Sequence, residues 1–259
     1  MSSPPSWTVS VISHGHGAGL LGILGDLHQR LSGRDYHIVV THNLPEQDTL
    51  SATLTAEQRA HTSFRTNATP AGFGANHNAA LIGAQGDHVL MVDPDLRLPV
   101  PLFDALDAAL AEPSTAIVSP QARTPEGLAE DNGRPLLTPL RLLRRYLLGR
   151  ARDTRRLAHA PSAEVDWLAG LFLAMRRADF EALGGFDTRY YMYAEDIDLC
   201  LRAQLRGGRC LLLQNSHIVH PARRATLSSR QHLVWHLRSL LRLWRSPVYH
   251  NYRRQQKTL

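Results

Sequence analysis

The chain is poor in cysteine, with two residues, Cys200 and Cys210, among 259. Two cysteines cannot build a disulfide framework, and both fall in runs that read as helix and strand interior, which predicts buried free thiols. No apolar run approaches the roughly 18 to 20 residues that a membrane-spanning helix requires. The start, Met1-Ser2-Ser3-Pro4-Pro5, lacks the basic and apolar regions of a secretory signal. The expectation is a cytoplasmic chain. Internal repeats, zinc-finger spacing, RNA-binding aromatic motifs and heptad basic regions are all missing, so nucleic acid is not an expected partner. The glycine-containing loop His14-Gly15-His16-Gly17-Ala18-Gly19 is neither G-x-G-x-x-G followed by an acid nor a Walker loop, which argues against dinucleotide and P-loop chemistry.

What is present is a globular composition, 43% hydrophobic, in a length that holds one large α/β domain or two small ones. Lysine plus arginine is 29 against 23 aspartate plus glutamate, a net charge of +6, and 14 histidines add latent positive charge. The basic excess is clustered between Arg141 and Arg156 and again between Arg223 and Arg254. Such clusters suit phosphorylated small molecules or an anionic membrane surface.

Trp7 to Ser13 alternates as a first strand, Leu20 to Leu31 repeats leucine at helical spacing, and Tyr36 to Thr41 is a second strand. Asn43 to Ala60 reads as a loop with a helical turn, Ser63 to Asn67 as a short strand, and Asn76 to Ala84 as a helix. A strand then ends in Asp93-Pro94-Asp95. Leu102 to Leu110 is helical, and Ala116 to Pro120 is another strand. This β-α-β order predicts an α/β nucleotide-binding fold. Gly127 to Pro161 breaks the pattern and contains Leu140 to Leu148, a basic amphipathic helix. An apolar run from Val165 to Met175, a short helix from Ala178 to Leu183 closed by Gly184-Gly185, and a helix opened by Glu195-Asp196 follow. Asp198 and Arg202 are spaced to pair on that helix. Cys210 to Gln214 and Ser216 to His220 read as strand. Leu233, Leu237, Leu240, Leu241 and Trp244 line one face of a C-terminal helix, with Arg238, Arg242 and Arg245 largely off it.

Three pieces carry chemistry. Pro94 stops the strand and stiffens the turn that holds Asp93 and Asp95, two hard oxygen ligands suited to Mg²⁺ or Mn²⁺. Glu195 and Asp196 open a helix, where the dipole favours carboxylates. His220 ends a strand.

Together these pieces resemble the family 2 glycosyltransferases, inverting enzymes of the GT-A fold, over roughly Val9 to Trp244. The most specific match is Gly184-Gly185-Phe186-Asp187, then Tyr193-Ala194-Glu195-Asp196-Ile197-Asp198-Leu199-Cys200-Leu201-Arg202, then His220. It is similar to the pattern of the subgroup containing rhamnosyl- and galactofuranosyltransferases, and Gly72-Phe73-Gly74-Ala75-Asn76-His77-Asn78 resembles a further element of that subgroup. The resemblance implies a Rossmann-like mixed sheet flanked by helices with a C-terminal helical extension. One domain is expected, with a nucleotide-sugar-binding part at about 7–120, an acceptor and catalytic part at about 160–225 and a C-terminal helix at about 227–246.

The resemblance also implies roles. Asp95, Asp93 and His220 would hold Mn²⁺ or Mg²⁺, which neutralises the leaving diphosphate. Asp196 would take the acceptor proton, with Glu195 beside it. Ser13, His14, His42, Asn67, His77, Asn78 and Asp93 would meet the nucleotide sugar, and Trp167 and Gly170 the acceptor. The chain departs from the family at Ser13-His14-Gly15, at His42 in place of an acid that holds the base, and at His77 in place of an arginine. Base recognition is therefore open, and contact at His77 is expected to be weaker or pH-dependent. The implied function is metal-dependent inverting transfer from a nucleotide-sugar donor, with dTDP-rhamnose as the specific candidate. The implied acceptor is a glycan or polyprenyl-linked glycan in surface polysaccharide synthesis, with peripheral contact at the inner membrane face and a homodimer as further expectations. The rivals are a nucleotidyltransferase, which leaves Glu195-Asp196 unexplained, and a catalytically silent nucleotide-sugar-binding scaffold.

Overall fold

The computed structural model describes residues 3–45, 50–148, 160–221 and 230–258. The chain alternates strand and helix through β1 (Trp7–Ser13), α1 (Leu21–Leu31), β2 (Tyr36–His42), α2 (Ala56–Ala60), β3 (Thr62–Thr66), α3 (Phe73–Leu81), β4 (His88–Val92), α4 (Phe103–Ala111) and β5 (Thr115–Arg123). Next come β6 (Gly133–Arg134), α5 (Pro139–Leu148), β7 (Ser162–Val165), β8 (Trp167–Leu168), β9 (Phe172–Arg176), α6 (Arg177–Ala182), α7 (Glu195–Leu205), β10 (Arg209–Val219), α8 (Arg230–Arg245) and α9 (Pro247–Thr258).

Eight strands form one mixed sheet in the order β3-β2-β1-β4-β9-β5-β10-β7, while β6 and β8 pair apart from it. β9 runs antiparallel to both β4 and β5, and β10 is parallel to β5. The carboxyl ends of β1 to β5 and of β10 therefore share one edge with the amino end of β9. The run Val89 to Val92 is uninterrupted in hydrophobicity because β4 is buried on both faces. Leu90 and Val92 pack with α1 and α4 on one side, and Val89 and Met91 pack with α3, α6 and α7 on the other. Cys200 and Cys210 are buried and free, as the sequence predicts.

Several boundaries differ from the sequence reading. The helix expected from Asn76 begins at Phe73, with Gly72 as its N-cap. Its first turn lies against the Gly184–Tyr193 loop so closely that a Cβ on Gly72 would meet the Tyr191 carbonyl oxygen at 2.5 Å, and one on Gly74 would meet Phe186 Cβ at 2.5 Å. The Cys210 and Ser216 segments are one strand, with an irregularity between Leu213 and His217. The helix α9 went unread because its sequence is polar, yet Tyr249 and Tyr252 are buried in it. The leucine face assigned to the C-terminal helix is split. Leu240 and Leu243 pack inward, while Leu233, Val234, Leu237 and Leu241 stay exposed. Of the arginine cluster from Arg141 to Arg156, residues 149–156 lie outside the described residues, as do Arg223, Arg224 and residues 227–229 of the expected C-terminal helix.

The turn after β4 is held from two sides. Arg97 and Val219 exchange backbone hydrogen bonds of 2.9 Å, which places the end of β10 beside the turn. On α1, the Asp26 carboxylate accepts from Arg97 Nε (2.7 Å), Arg97 Nη2 (2.9 Å) and the Leu98 amide (2.8 Å). Burial raises the Asp26 pKa, but the Arg97 and Leu98 hydrogen bonds outweigh it and hold the carboxyl below its ordinary value. Replacing Asp26 by alanine strands the buried Leu98 amide, so Asp26→Ala should lower unfolding stability by about 1–3 kcal/mol in urea titrations at neutral pH. Because the folded-state pKa is lowered, the loss should shrink as pH falls through that value.

Candidate active site

Two consecutive residues at the approach to β9 join the acidic pieces. The Gly170 amide donates to Asp196 Oδ2 (3.0 Å), and the Leu171 carbonyl accepts the Asp93 amide (2.8 Å). The Asp93-Pro94-Asp95 turn and the start of α7 are thus tied to neighbouring positions of one strand. Asp196 Oδ1 also accepts the Ile197 amide at 2.8 Å. The loop before α7 runs through Tyr193 (φ 73°) and Ala194 (φ 65°), two side-chain-bearing residues in left-handed conformation. It is braced by the Phe73 amide on the Tyr191 carbonyl (2.9 Å), by Ser239 Oγ on the Met192 carbonyl (2.8 Å) and by the Tyr193 hydroxyl on His232 Nδ1 (2.8 Å). The Asp198–Arg202 pair expected from the sequence is present at 2.7 Å, and Arg202 also donates to the Leu183 and Gly185 carbonyls (both 2.8 Å), fastening the Gly-Gly turn to α7.

Crowding dominates the electrostatics. Burial, then the charges of Asp95 and Asp196, push the Asp93 carboxyl up to about 7, and His220 pulls it the other way. Burial and the Asp196 charge raise Glu195 well above the carboxylate range, and its Oε2 has no hydrogen-bond partner among the described residues. Burial also raises Asp196, against the Ile197 and Gly170 amides and the charge of Arg134. Carboxylates that resist ionising together form a site short of positive charge. Among the described residues no three His, Cys, Asp or Glu side chains converge on a metal position. Asp93 and Asp95 on a stiff turn nevertheless match the one or two carboxylates that Mg²⁺ or Mn²⁺ takes alongside phosphate oxygens.

On the donor side, β1, β2 and β3 end together. Asn43 Nδ2 lies 3.2 Å from His14 Nδ1, and the Asn43 side-chain oxygen accepts from Asn67 Nδ2 (2.8 Å) and the Ala71 amide (2.8 Å). Asn67 Nδ2 also reaches Asn76 Oδ1 at 2.6 Å. Ser13 Oγ accepts the His16 amide (3.2 Å), and His14 is exposed. His42 is buried and stacks on Phe64. His77 requires a correction. It is 1% exposed, bonds Ser10 Oγ through Nδ1 (2.8 Å), and burial pushes its pKa down to about 3. It is neutral at ordinary pH, so the expected pH-dependent contact gives way to a core position. Asn78 is likewise committed, donating to the Phe186 carbonyl (2.8 Å) and accepting the Phe186 amide (2.8 Å).

On the acceptor side, Trp167 is also corrected. Its ring is 4% exposed, its Nε1 donates to the Pro135 carbonyl (3.0 Å), and Arg134 covers it at 4.9 Å, so it offers no open face to a sugar. Gly170 is at the centre of the site through its amide. A cleft of about 560 Å³, lined by Glu130, Arg134, Glu164, Asp166 and Tyr252 among others, has none of Asp93, Asp95, Glu195, Asp196, Trp167 and Gly170 in its walls. The sequence reading gave no role to Asn43, Glu130 and Arg134, which lie in segments with no hydrophobic period.

Glu195 binds a proton more tightly folded than unfolded, so its burial costs stability increasingly as pH rises from its ordinary 4.5 toward about 8. Glu195→Gln should therefore be more thermostable than the parent chain at pH 8, with the difference fading toward pH 5, as read by melting temperatures across that range.

No family model matches the chain. It is 44% identical over 79 residues, 30% of its own length, to the rhamnosyltransferase WbbL of Escherichia coli strain K12. It is 30% identical over 182 residues, 62% of its length, to an N-acetylglucosaminyl-diphospho-decaprenol L-rhamnosyltransferase of Mycobacterium tuberculosis. The matched stretches span only 30% and 59% of those relatives. Its backbone superposes on the mannosyltransferase PcManGT of Pyrobaculum calidifontis, solved with GDP-Man and Mn²⁺, with a TM-score of 0.62 and 22% identity, covering 93% of this chain and 65% of that one. The sheet order agrees with that likeness, which shows a GT-A glycosyltransferase fold, and over the matched stretches the sequence is similar to rhamnosyltransferases.

Proposed function

We propose that the chain transfers a sugar from a nucleoside-diphosphate donor to a hydroxyl of a glycan acceptor, inverting the anomeric carbon. The observation that carries this reading is the junction at Gly170 and Leu171, which sets Asp196 beside the Asp93-Pro94-Asp95 turn. Asp93 and Asp95, with His220, would hold a divalent cation, which supplies Lewis-acid neutralisation of the leaving diphosphate. Asp196, held by two backbone amides, takes the proton of the acceptor hydroxyl as its oxygen bonds to the anomeric carbon. The bond from that carbon to the diphosphate oxygen breaks with its electron pair leaving on the diphosphate. A single displacement on one face inverts the configuration. Glu195, beside Asp196, would contact the acceptor or orient the base. His14, exposed, and Asn67, half-buried, frame the nucleotide, while Ser13 and His42 are buried behind them and, like His77, offer no open side chain to it.

Both sequence relatives carry rhamnosyltransferase names, which supports a dTDP-rhamnose donor, and the mycobacterial name supports a polyprenyl diphosphate-linked acceptor in surface polysaccharide synthesis. A silent scaffold would have no use for carboxylates crowded at a cost to stability, and a nucleotidyltransferase leaves Glu195 and Asp196 idle. Asp196→Asn should reduce transfer about 10²–10⁴-fold while nucleotide-sugar binding survives. Asp95→Ala should weaken donor binding only when Mn²⁺ or Mg²⁺ is present. Titrating a panel of nucleotide sugars with and without metal, followed by product detection, separates the readings: donor bound without turnover, and Asp196→Asn without effect, would favour the scaffold.

Among the described residues no helix is long and apolar enough to cross a membrane. Peripheral contact is the proposal instead, made by the exposed Leu233, Val234, Leu237 and Leu241 of α8 beside Arg238, Arg242 and Arg245, an apolar stripe with cations that fit an anionic lipid surface. Flotation should show binding to vesicles containing anionic lipid, reduced in neutral vesicles and by Leu237→Glu; equal recovery at the bottom of the gradient with and without anionic lipid would remove this contact.

A further inference from the structure

Glu130 lies in the segment that breaks the sequence pattern, yet its carboxylate reaches the end of β10. Glu130 Oε2 is 2.8 Å from His220 Nδ1, and each side chain is 23% exposed. Both residues hang from the end of β5. The His220 amide donates to the Arg123 carbonyl (2.9 Å), and the Glu130 amide donates to the Ala122 carbonyl (2.8 Å). The intervening hairpin is closed by Thr124 on Leu128 and by Gly127 on Thr124, both 2.8 Å, with Gly127 at φ +85°. Beneath it Asn132, almost wholly buried, accepts the Ala122 amide (3.0 Å) and donates to the Pro120 carbonyl (2.9 Å), while Gln121 Nε2 donates to the Glu130 carbonyl at 2.6 Å. The carboxylate is therefore presented by a rigid frame rather than a free loop.

A carboxylate can only accept, so the hydrogen bond requires the proton on Nδ1 and leaves Nε2 as the ring's second polar atom. His220 follows Val219, which pairs with Arg97 two residues beyond Asp95, so the end of β10 lies beside the turn that carries Asp93 and Asp95. We propose that Glu130 is a positioning residue that holds the His220 imidazole in the Nδ1–H tautomer, with the Nε2 lone pair available to a divalent cation at the Asp93-Pro94-Asp95 turn. The inference rests on the cation reading given above and adds the residue that orients one of its ligands. Outer carboxylates of this kind set the tautomer and orientation of ligating histidines.

The test uses the full chain. In metal-free protein, ¹⁵N shifts of the His220 ring should show a protonated Nδ1 and a bare Nε2, and Glu130→Ala should shift the ring toward the Nε2–H tautomer. A bare Nδ1 or an imidazolium in the parent chain, or a tautomer indifferent to Glu130→Ala, overturns the proposal. Mn²⁺ titrated alone and followed by electron paramagnetic resonance should bind about 10- to 100-fold more weakly to Glu130→Ala, with Glu130→Gln between it and the parent. Unchanged affinity in Glu130→Ala where Asp95→Ala loses binding overturns the role of Glu130. If Asp95→Ala and His220→Ala both leave Mn²⁺ binding intact, the cation reading fails, and the proposal built on it falls even where the tautomer result holds. Melting temperatures of the variants separate these effects from misfolding.

Discussion

The site depends on one strand end. Gly170 and Leu171 turn their backbone toward different partners, the amide of one to Asp196 and the carbonyl of the other to Asp93. A Cβ on Gly170 would sit 3.3 Å from the Phe73 ring, which would have to give slightly, and at ordinary contact, 3.5 Å, from Asp196 Cβ. Because β9 lies antiparallel between β4 and β5, its amino end falls at the edge where the parallel strands deliver their carboxyl ends. The reversal of one strand thereby sets the helix that opens with Glu195 and Asp196 next to the turn that ends β4.

Around that junction the protein accepts unfavourable terms. Two consecutive left-handed residues precede Glu195, a buried carboxylate oxygen has no hydrogen-bond partner among the described residues, and three carboxyls have pKa values raised by burial, two of them, Asp93 and Glu195, also by neighbouring carboxylates. Each is locally costly and is held by contacts from elsewhere: α3 and α8 on the loop, Arg202 on the Gly-Gly turn, Asp26 and Arg97 on the turn after β4. Strain and desolvation concentrated at one place, with a rigid surround, is how a fold keeps titratable groups ready for proton transfer and charge neutralisation.

Much of this was legible in the chain itself. Apolar periodicity located the strands and most helices, Pro94 marked the end of β4, and the Gly-Gly-Phe-Asp and Glu-Asp pieces identified the acids and the family they resemble. What failed did so for physical reasons. Trp167 and His77 look like ligand residues by type, but the layers of the fold buried both. The helix α9 has too polar a sequence to announce itself and is stabilised by two tyrosines and the Asp166 cluster. Glu130 and Arg134 sit in a stretch without period, so only three-dimensional placement gives them meaning.

The sequence by itself determined most of the strands and helices, the identity of the acids and the stiffness of the turn that carries two of them, because these follow from local periodicity, φ restriction and residue chemistry. The tertiary structure alone decided which acids meet, which histidines face solvent or core, and how each carboxyl titrates. Those properties depend on distance and burial between residues up to about a hundred positions apart in the chain, such as Asp93 and Asp196 or Glu130 and His220, and no local pattern encodes them.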